Sequence, residues 1–260
     1  MSKIAFCFLT YTDLDRPGIW RRYLENNLDK CNIYIHPKGP LKNDFFKKFV
    51  IKNRTRTYQK TDIFIVYATL LMITEALRNP ENKKIIFLSQ SCFPIVKFET
   101  LYNEIIGNDF SYIKSFQRNK KNRYYSLSNI LKSKLIFEKF TKQHPNMVLD
   151  RRDGEYFSKN ISLINHFKFM LCPDEHFYIN ILNIKRDDDI KKYGESDILI
   201  KDRQICFCNF KLSATQGKEH KIINYNLIKQ LRGMGFFFMR KITKNTIIYN
   251  NYKSDILLQK

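Results

Sequence analysis

Residues 61–94 read TDIFIVYATLLMITEALRNPENKKIIFLSQSCFP. The first half is apolar nearly all round, which is the pattern of a buried helix. Thr61-Asp62 can cap that helix, and Pro80 disfavours helical geometry in the residue before it, so the helix must stop near Asn79. Residues 84–89, KIIFLS, then form a short continuous apolar run, as in a strand covered on both faces. A polar loop, Gln90-Ser91-Cys92, and Pro94 end the run. A buried helix leading straight into a buried strand is half of a crossover unit.

Toward the N-terminus, residues 4–10 are a second continuous apolar run, ending in Thr-Tyr-Thr-Asp, and residues 32–36 (NIYIH) are a third, closed by Pro37-Lys-Gly-Pro. Strand, helix and strand alternate, which predicts an α/β fold with a parallel sheet and crossover helices. Toward the C-terminus, residues 126–140 are mixed helical sequence, and Gly154-Glu-Tyr-Phe lies in a helix following Asp150-Arg-Arg-Asp. An amphipathic helix, FYINILNI, opens at Pro173-Asp-Glu-His with Asp174 as N-cap. Strands follow over residues 197–200 and 204–210, then a helix over 222–231 and an aromatic strand over 236–242. A single domain over residues 1–260 accommodates these elements, with no internal repeat.

Lys and Arg number 46 against 25 Asp and Glu, a formal charge of +21. Such a field draws in nucleotide sugars, nucleic acids or acidic membranes. The densest basic run is residues 114–123 (KSFQRNKKNR), which read alone is a solvated loop as readily as a binding element. The six cysteines lie mostly in apolar stretches and no signal peptide precedes them, so buried, reduced thiols are expected. Cys206 and Cys208 read as core, because no second pair completes a zinc site. Asn53-Arg-Thr and Asn160-Ile-Ser match the glycosylation sequon but carry no weight without a secretory signal. No stretch approaches ~20 apolar residues, so a soluble, cytoplasmic protein with no transmembrane segment is expected.

The common phosphate-loop, dinucleotide, zincin and hydrolase signatures are absent. Asp187-Asp-Asp189 could pass for the metal-binding D-x-D of sugar-nucleotide enzymes. It sits in the charged stretch RDDDIKK after the predicted helix, and a solvated loop is the better reading. No metal and no cofactor are expected.

Three motifs stand in a telling order: Leu88-Ser-Gln-Ser-Cys-Phe-Pro94 after a strand, Cys172-Pro-Asp-Glu-His176 before a helix, and Phe238-Met-Arg-Lys-Ile242 near the end. With KIAFCFLTY at the start, NIYIHPK, and Ala76-Leu77 ahead of Asn79-Pro80, the chain resembles the Core-2/I-branching glycosyltransferases, their plant relatives and xylosyltransferase-like members. The resemblance covers roughly residues 3–243. It implies a GT-A-like (Rossmann-like) three-layer sandwich with a mixed, mostly parallel central sheet. The nucleotide-binding part would be roughly residues 1–115 and the acceptor and catalytic part roughly 116–260.

The resemblance also implies an inverting, metal-independent transfer from a UDP-sugar, best guessed as the N-acetylglucosamine donor, to a glycan or glycoprotein hydroxyl. Such a reaction needs a carboxylate to take the hydroxyl proton and cations to hold the departing diphosphate. Carried over by motif, Glu175 is the general base and Asp174 caps the helix that holds it. Read on spacing alone, Glu175 is a first-turn acidic residue that complements the helix dipole. Lys241, with Arg240 beside it, matches the basic residue at the diphosphate. Arg203 is the nearest match for a second contact, with Lys201 and Lys218 as rivals. Leu9, Thr10 and Tyr11 match the loop that meets the base and ribose. Arg123, Ser89, Ser91 and Asp174 fall on the substrate side, and His176 reads as a structural hydrogen-bonding histidine.

Two departures stand out. His36-Pro37 replaces the aspartate that animal members carry after their second strand. His144-Pro-Asn-Met147, with Asp150-Arg-Arg152, stands where plant relatives carry Ser-Gln-Trp and then an Arg, removing a stacking platform for a sugar ring. Two other readings compete. A nucleic-acid-binding protein would suit the charge and Tyr124-Tyr125 beside the basic run, although no nucleic-acid module is visible and no nucleic-acid partner is expected. An inactive nucleotide- or glycan-binding homologue would keep the fold without turnover, and Glu175 and Lys241 argue against it.

Overall fold

The computed structural model describes residues 1–57, 63–116, 121–135, 137–209 and 217–249. The predicted cap at Thr61-Asp62 and the end of the predicted strand at Phe210 lie outside the described residues. The chain opens with β1 (Lys3–Thr10), α1 (Pro17–Glu25), β2 (Cys31–Pro37), the short α2 (Asp44–Lys47) and α3 (Ile63–Leu77). There follow β3 (Asn82–Ser89), β4 (Phe93–Pro94), α4 (Phe98–Ile106), β5 (Ser111–Tyr112) and β6 (Ser115–Phe116). The middle of the chain forms α5 (Lys121–Tyr125), α6 (Asn129–Lys134), β7 (Lys142–Gln143), β8 (Val148–Asp150), α7 (Arg151–Lys159) and α8 (Phe177–Tyr193). The last elements are β9 (Ile200–Lys201), β10 (Cys206–Cys208), β11 (Ile222–Ile223), α9 (Tyr225–Gly233), β12 (Phe238–Arg240) and β13 (Ile247–Ile248).

The central sheet has the order β2-β1-β3-β8-β5-β9. Strands β2, β1 and β3 are mutually parallel, β5 and β9 are parallel, and β8 runs antiparallel to both neighbours. The sheet is therefore mixed and mostly parallel, as expected. Strand β1 lies between β2 and β3 with helices on both faces, which is why its sequence is continuously apolar instead of alternating. Ile4, Phe6 and Phe8 pack on one side with Trp20 and Tyr23 of α1 and Phe98 of α4. Ala5 and Cys7 pack on the other side with Val66 and Leu70 of α3, Phe157 of α7 and Tyr178 of α8. Two helical layers thus enclose the sheet. A Cβ added at Gly154 of α7 would come within 2.9 Å of the Ile85 Cδ1, so a side chain there would have to displace the tip of Ile85.

Strand β8 is keyed to β3 by a buried ion pair: Lys84 Nζ lies 2.8 Å from the Asp150 carboxylate and also donates to the Phe110 carbonyl at 2.9 Å. The other oxygen of Asp150 accepts from the Arg152 N–H and caps α7. A second sheet, β10-β12-β4, matters more for function. Pairing β12 with β4 sets Phe238–Arg240 beside the loop that follows the central strand β3.

Three sequence expectations need correction. Residues 222–231 split into strand β11, which pairs with β13, and helix α9, whose first turn is capped by Asn224. The strands expected over 204–210 and 236–242 pair, among the described residues, over their middle residues, and the one expected over 197–200 is displaced to Ile200–Lys201. Asp187-Asp-Asp189 is not a loop: it lies inside α8, which runs on to Tyr193 and ends at Gly194 with positive φ. Its carboxylates pair with Lys139, Lys134 and Lys185, respectively, so lysines supply the countercharge a metal would bring. Among the described residues no helix is long and apolar enough to cross a membrane.

Candidate active site

The loop after β3 is the hub of the site. Its Gln90 side chain accepts from the Tyr11 N–H at 2.7 Å, and its Gln90 carbonyl accepts from the Asp15 N–H at 3.1 Å. The Cys92 carbonyl accepts from the Trp20 indole at 3.0 Å. The Ser91 carbonyl accepts from the Ile242 N–H at 2.9 Å, so the loop joins the segment after β1 to the segment after β12. This is the carboxyl end of parallel strands, where ligands of open α/β sheets gather. Ser89 and Ser91 stand 3.4 Å apart at their hydroxyls, and Ser89 also contacts the Cys92 thiol.

Leu9, Thr10 and Tyr11 end β1 at this same edge. The Thr10 and Tyr11 carbonyls accept from the Lys38 and Gly39 N–H groups at 2.8 Å each, which fixes the two strand ends together. Tyr11 is half exposed, with Lys38 over its ring, and offers a flat face to a planar group. His36 points away from any ligand: it is fully buried and its Nε2 accepts from the Thr55 N–H at 3.1 Å.

Arg240 reaches the hub from β12. Its Nη1 donates to the Asn146 Oδ1 at 3.3 Å, and Asn146 in turn donates to the Phe87 carbonyl and contacts the Cys92 sulfur. The sequence reading preferred Lys241 on the ground of strand alternation. Strand β12 ends at Arg240, so alternation does not extend to Lys241, and Arg240 bonds the hub residue Asn146 directly. Lys241 is anchored one step away: its N–H meets the Lys218 carbonyl and its carbonyl accepts from the His220 N–H.

Arg203 is engaged on another surface. It pairs with Glu104 of α4, donates to the Gly235 carbonyl and lies over the Phe237 ring, 4.4 Å from its centroid. All its donors face that surface, so it is a brace between α4 and the turn before β12. Of its rivals, Lys201 lies over the Tyr112 ring, whereas Lys218 runs beside Lys241.

Glu175 and Asp174 lie on a tight 3₁₀ turn, Pro173–Glu175, ahead of α8. Cys172 enters that turn at φ 53, a left-handed conformation costing a non-glycine residue roughly 1–2 kcal/mol, so the turn is over-determined by its surroundings. The predicted cap is therefore wrong: α8 begins at Phe177, and Asp174 points inward instead of closing its first turn. Asp174 keeps some exposure, but its Oδ1 is buried with no hydrogen-bond partner among the described residues. Burial and the Glu175 charge beside it push its carboxyl up to about 7.

Glu175 has the opposite surroundings. Its Oε2 lies 2.9 Å from Lys142 Nζ and 3.0 Å from Arg123 Nη1. Burial alone would raise this carboxyl, but Lys142 and Arg123 outweigh it and hold the group below the usual carboxylate range. Arg123 Nη1 also donates to His176 Nε2 at 2.9 Å, so the other nitrogen, Nδ1, carries the proton and donates to the Thr141 carbonyl at 3.0 Å. Phe140 stacks on that imidazole, and burial followed by the Arg123 charge lowers it to about 4. His176 is thus neutral and structural, as expected. His144 is also lowered to about 4, first by burial and then by Arg240, and it feels Glu175 as well.

Lys142, Asn146 and Gln90 escaped the sequence reading. Lys142 reaches Glu175 because β7 pairs with β6, two-residue strands with no sequence period to betray them. Among the described residues no group of three or more potential metal ligands occurs.

Across residues 4–196 the sequence matches the Core-2/I-Branching enzyme family. The chain belongs to that family. Glycosyltransferase BC10 of Oryza sativa subsp. japonica is 22% identical over 175 residues, 64% of this chain and 43% of that protein. The match thus spans less than half of the curated relative's length. A solved structure of the galactosyltransferase LgtC with donor and acceptor sugar analogues aligns with 78% of this chain and 75% of its own, at 9% identity and a TM-score of 0.40. The Core-2/I-Branching match takes in the hub loop, Arg123, Lys142 and Glu175, and stops short of Arg240 and Lys241.

The Asp174 surroundings give a test independent of activity. The folded protein holds this proton up to about pH 7, whereas an unfolded aspartate releases it near pH ~3.9. Between those limits the folded state binds more protons, so this group costs stability as pH rises from ~4 to ~7, and the loss persists above. Asp174→Asn should therefore melt above wild type at pH ~8, by on the order of 2 kcal/mol, with the gap closing below pH ~4. Equal melting at pH ~8 would show that the carboxylate is solvated.

Proposed function

We propose that this chain is an inverting glycosyltransferase that moves a sugar, N-acetylglucosamine in the leading reading, from a UDP-sugar to a glycan hydroxyl without a metal. The observation that carries the reading is the Glu175 carboxylate, gripped by Arg123 and Lys142, with Arg240 bonded to Asn146 at the hub loop. An acceptor hydroxyl attacking the anomeric carbon must lose a proton as the new C–O bond forms. Glu175 takes it, and its two cations keep it ionised and ready across neutral pH. As the bond to the diphosphate breaks, negative charge grows on the leaving oxygen. Arg240, with Lys241 beyond it, supplies the countercharge.

The donor's uridine fits the edge made by Leu9, Thr10 and Tyr11, with the Tyr11 ring as the stacking surface. Ser89 and Ser91 offer hydroxyls to the sugar. The acceptor enters on the Arg123 side, next to Glu175. A thermal-shift screen of nucleotide sugars in EDTA tests the donor half of this reading, because a ligand that binds only the folded state raises its melting point. A shift of several degrees with one UDP-sugar is expected. No shift with any of them, or a shift that needs added manganese, would overturn it.

A further inference from the structure

The acceptor side of the molecule carries a surface that the transfer reaction does not need. Residues 121–135 and 161–172 are tied together by the Ser128 N–H on the His166 carbonyl at 3.2 Å and by the Ser128 hydroxyl on His166 Nδ1 at 2.7 Å. Their inward side chains, including Tyr124, Leu127, Leu131, Phe167 and Met170, are buried in the core. Their outward side chains are apolar as well: Phe169 is 81% exposed, Ile130 66%, Leu171 65% and Tyr125 63%. Single exposed apolar residues need no explanation, but four on two joined segments form a patch.

The charges within the two segments have one sign. Neither segment contains an acidic residue, and together they hold Lys121, Arg123, Lys132, Lys134 and Lys168. Arg123 is committed to Glu175 and Lys134 to Asp188. Lys121, Lys132 and Lys168 have no carboxylate partner among the described residues, and Lys168 lies 5.8 Å from the Phe169 ring centroid. Exposed Phe and Leu among lysines is the chemistry of an interfacial anchor: the apolar groups enter the acyl boundary while ammonium groups meet anionic headgroups. Lysine attracts phosphate as a point charge without fixed geometry, which suits a fluid lipid surface better than one shaped partner.

We propose that this patch docks the protein on the surface of an anionic bilayer. The docking stands on the patch alone. Its consequence, that Glu175 opens toward acceptors attached to the membrane, rests on the transferase reading and on Arg123, which lies on the first of these segments and bonds Glu175.

Co-sedimentation with phosphatidylcholine vesicles, with and without phosphatidylserine, tests the docking. Wild type should bind the phosphatidylserine vesicles and release at high salt. Phe169→Asp with Leu171→Asp should weaken that binding at least about tenfold, because it removes the inserted groups and adds repulsion. Lys168→Gln, which keeps the apolar surface, should weaken it about fivefold. Met234→Asp, at an exposed apolar residue on another face, should bind as wild type. The proposal is overturned if wild type ignores phosphatidylserine vesicles, or if the double variant, shown folded by its melting curve, binds as well as wild type. It is equally overturned if Met234→Asp loses binding to the same extent. Vesicle binding needs no donor or acceptor, so its failure is distinct from a failure of the transferase reading.

Discussion

Glu175→Gln is expected to lower the transfer rate about 10²–10⁴-fold while leaving donor affinity near that of wild type. Glutamine keeps the size of the side chain and one oxygen for Lys142 and Arg123, so the 3₁₀ turn should survive. It cannot accept the hydroxyl proton. The pH profile adds a second reading of the same group. Because Lys142 and Arg123 hold Glu175 below the usual carboxylate range, the acid limb of kcat should lie below that of an ordinary glutamate. Arg123→Ala and Lys142→Ala should each move that limb upward, since each removes a charge that favours the ionised form. Full activity in Glu175→Gln would make the residue a mere electrostatic partner of Arg123.

The second large effect is expected at Arg240. Arg240→Ala should cost about 10²–10³ in kcat/KM with a UDP-sugar, the usual scale for removing a group that meets developing charge. Arg240→Lys should recover only part, because an ammonium restores charge without the planar fork that now reaches Asn146. Lys241→Ala should move the rate in the same direction. A loss at Lys241 with none at Arg240 would restore the assignment drawn from the motif and reject the one drawn from the hydrogen bonds. Steady-state kinetics on folded variants decides between them.

The fold was legible where burial writes a pattern. Strand β1 is covered on both faces, so residues 4–10 are apolar without a break, and α3 reads as buried for the same reason. The candidate site was traceable in part, through motifs that set Ser89, Glu175 and the pair Arg240-Lys241 in chain order. It was illegible where contact depends on pairing distant short segments. Lys142 meets Glu175 through a two-residue ladder, and Arg203 is drawn off by Glu104, almost a hundred positions earlier in the chain. Nothing in a local window reports either event. The charged run RDDDIKK misled for a related reason: read alone it is solvated loop, but the lysines of neighbouring segments let it continue as helix.

Asp174 teaches a different lesson. An acidic residue after proline and before an apolar run is a good N-cap by local rules. The chain spends that position on a turn instead, with Cys172 in a left-handed conformation and the Asp174 carboxyl partly shut away from water. Places where local rules fail tend to be strained or functional, and this one adjoins the proposed base.

The anomeric configuration of the product formed from a UDP-sugar in EDTA tests the central claim most directly. The account predicts transfer without added metal, inversion at the anomeric carbon, and loss of both product and donor turnover in Glu175→Gln. A product that retains the donor configuration, or transfer that begins only when manganese is restored, would contradict it.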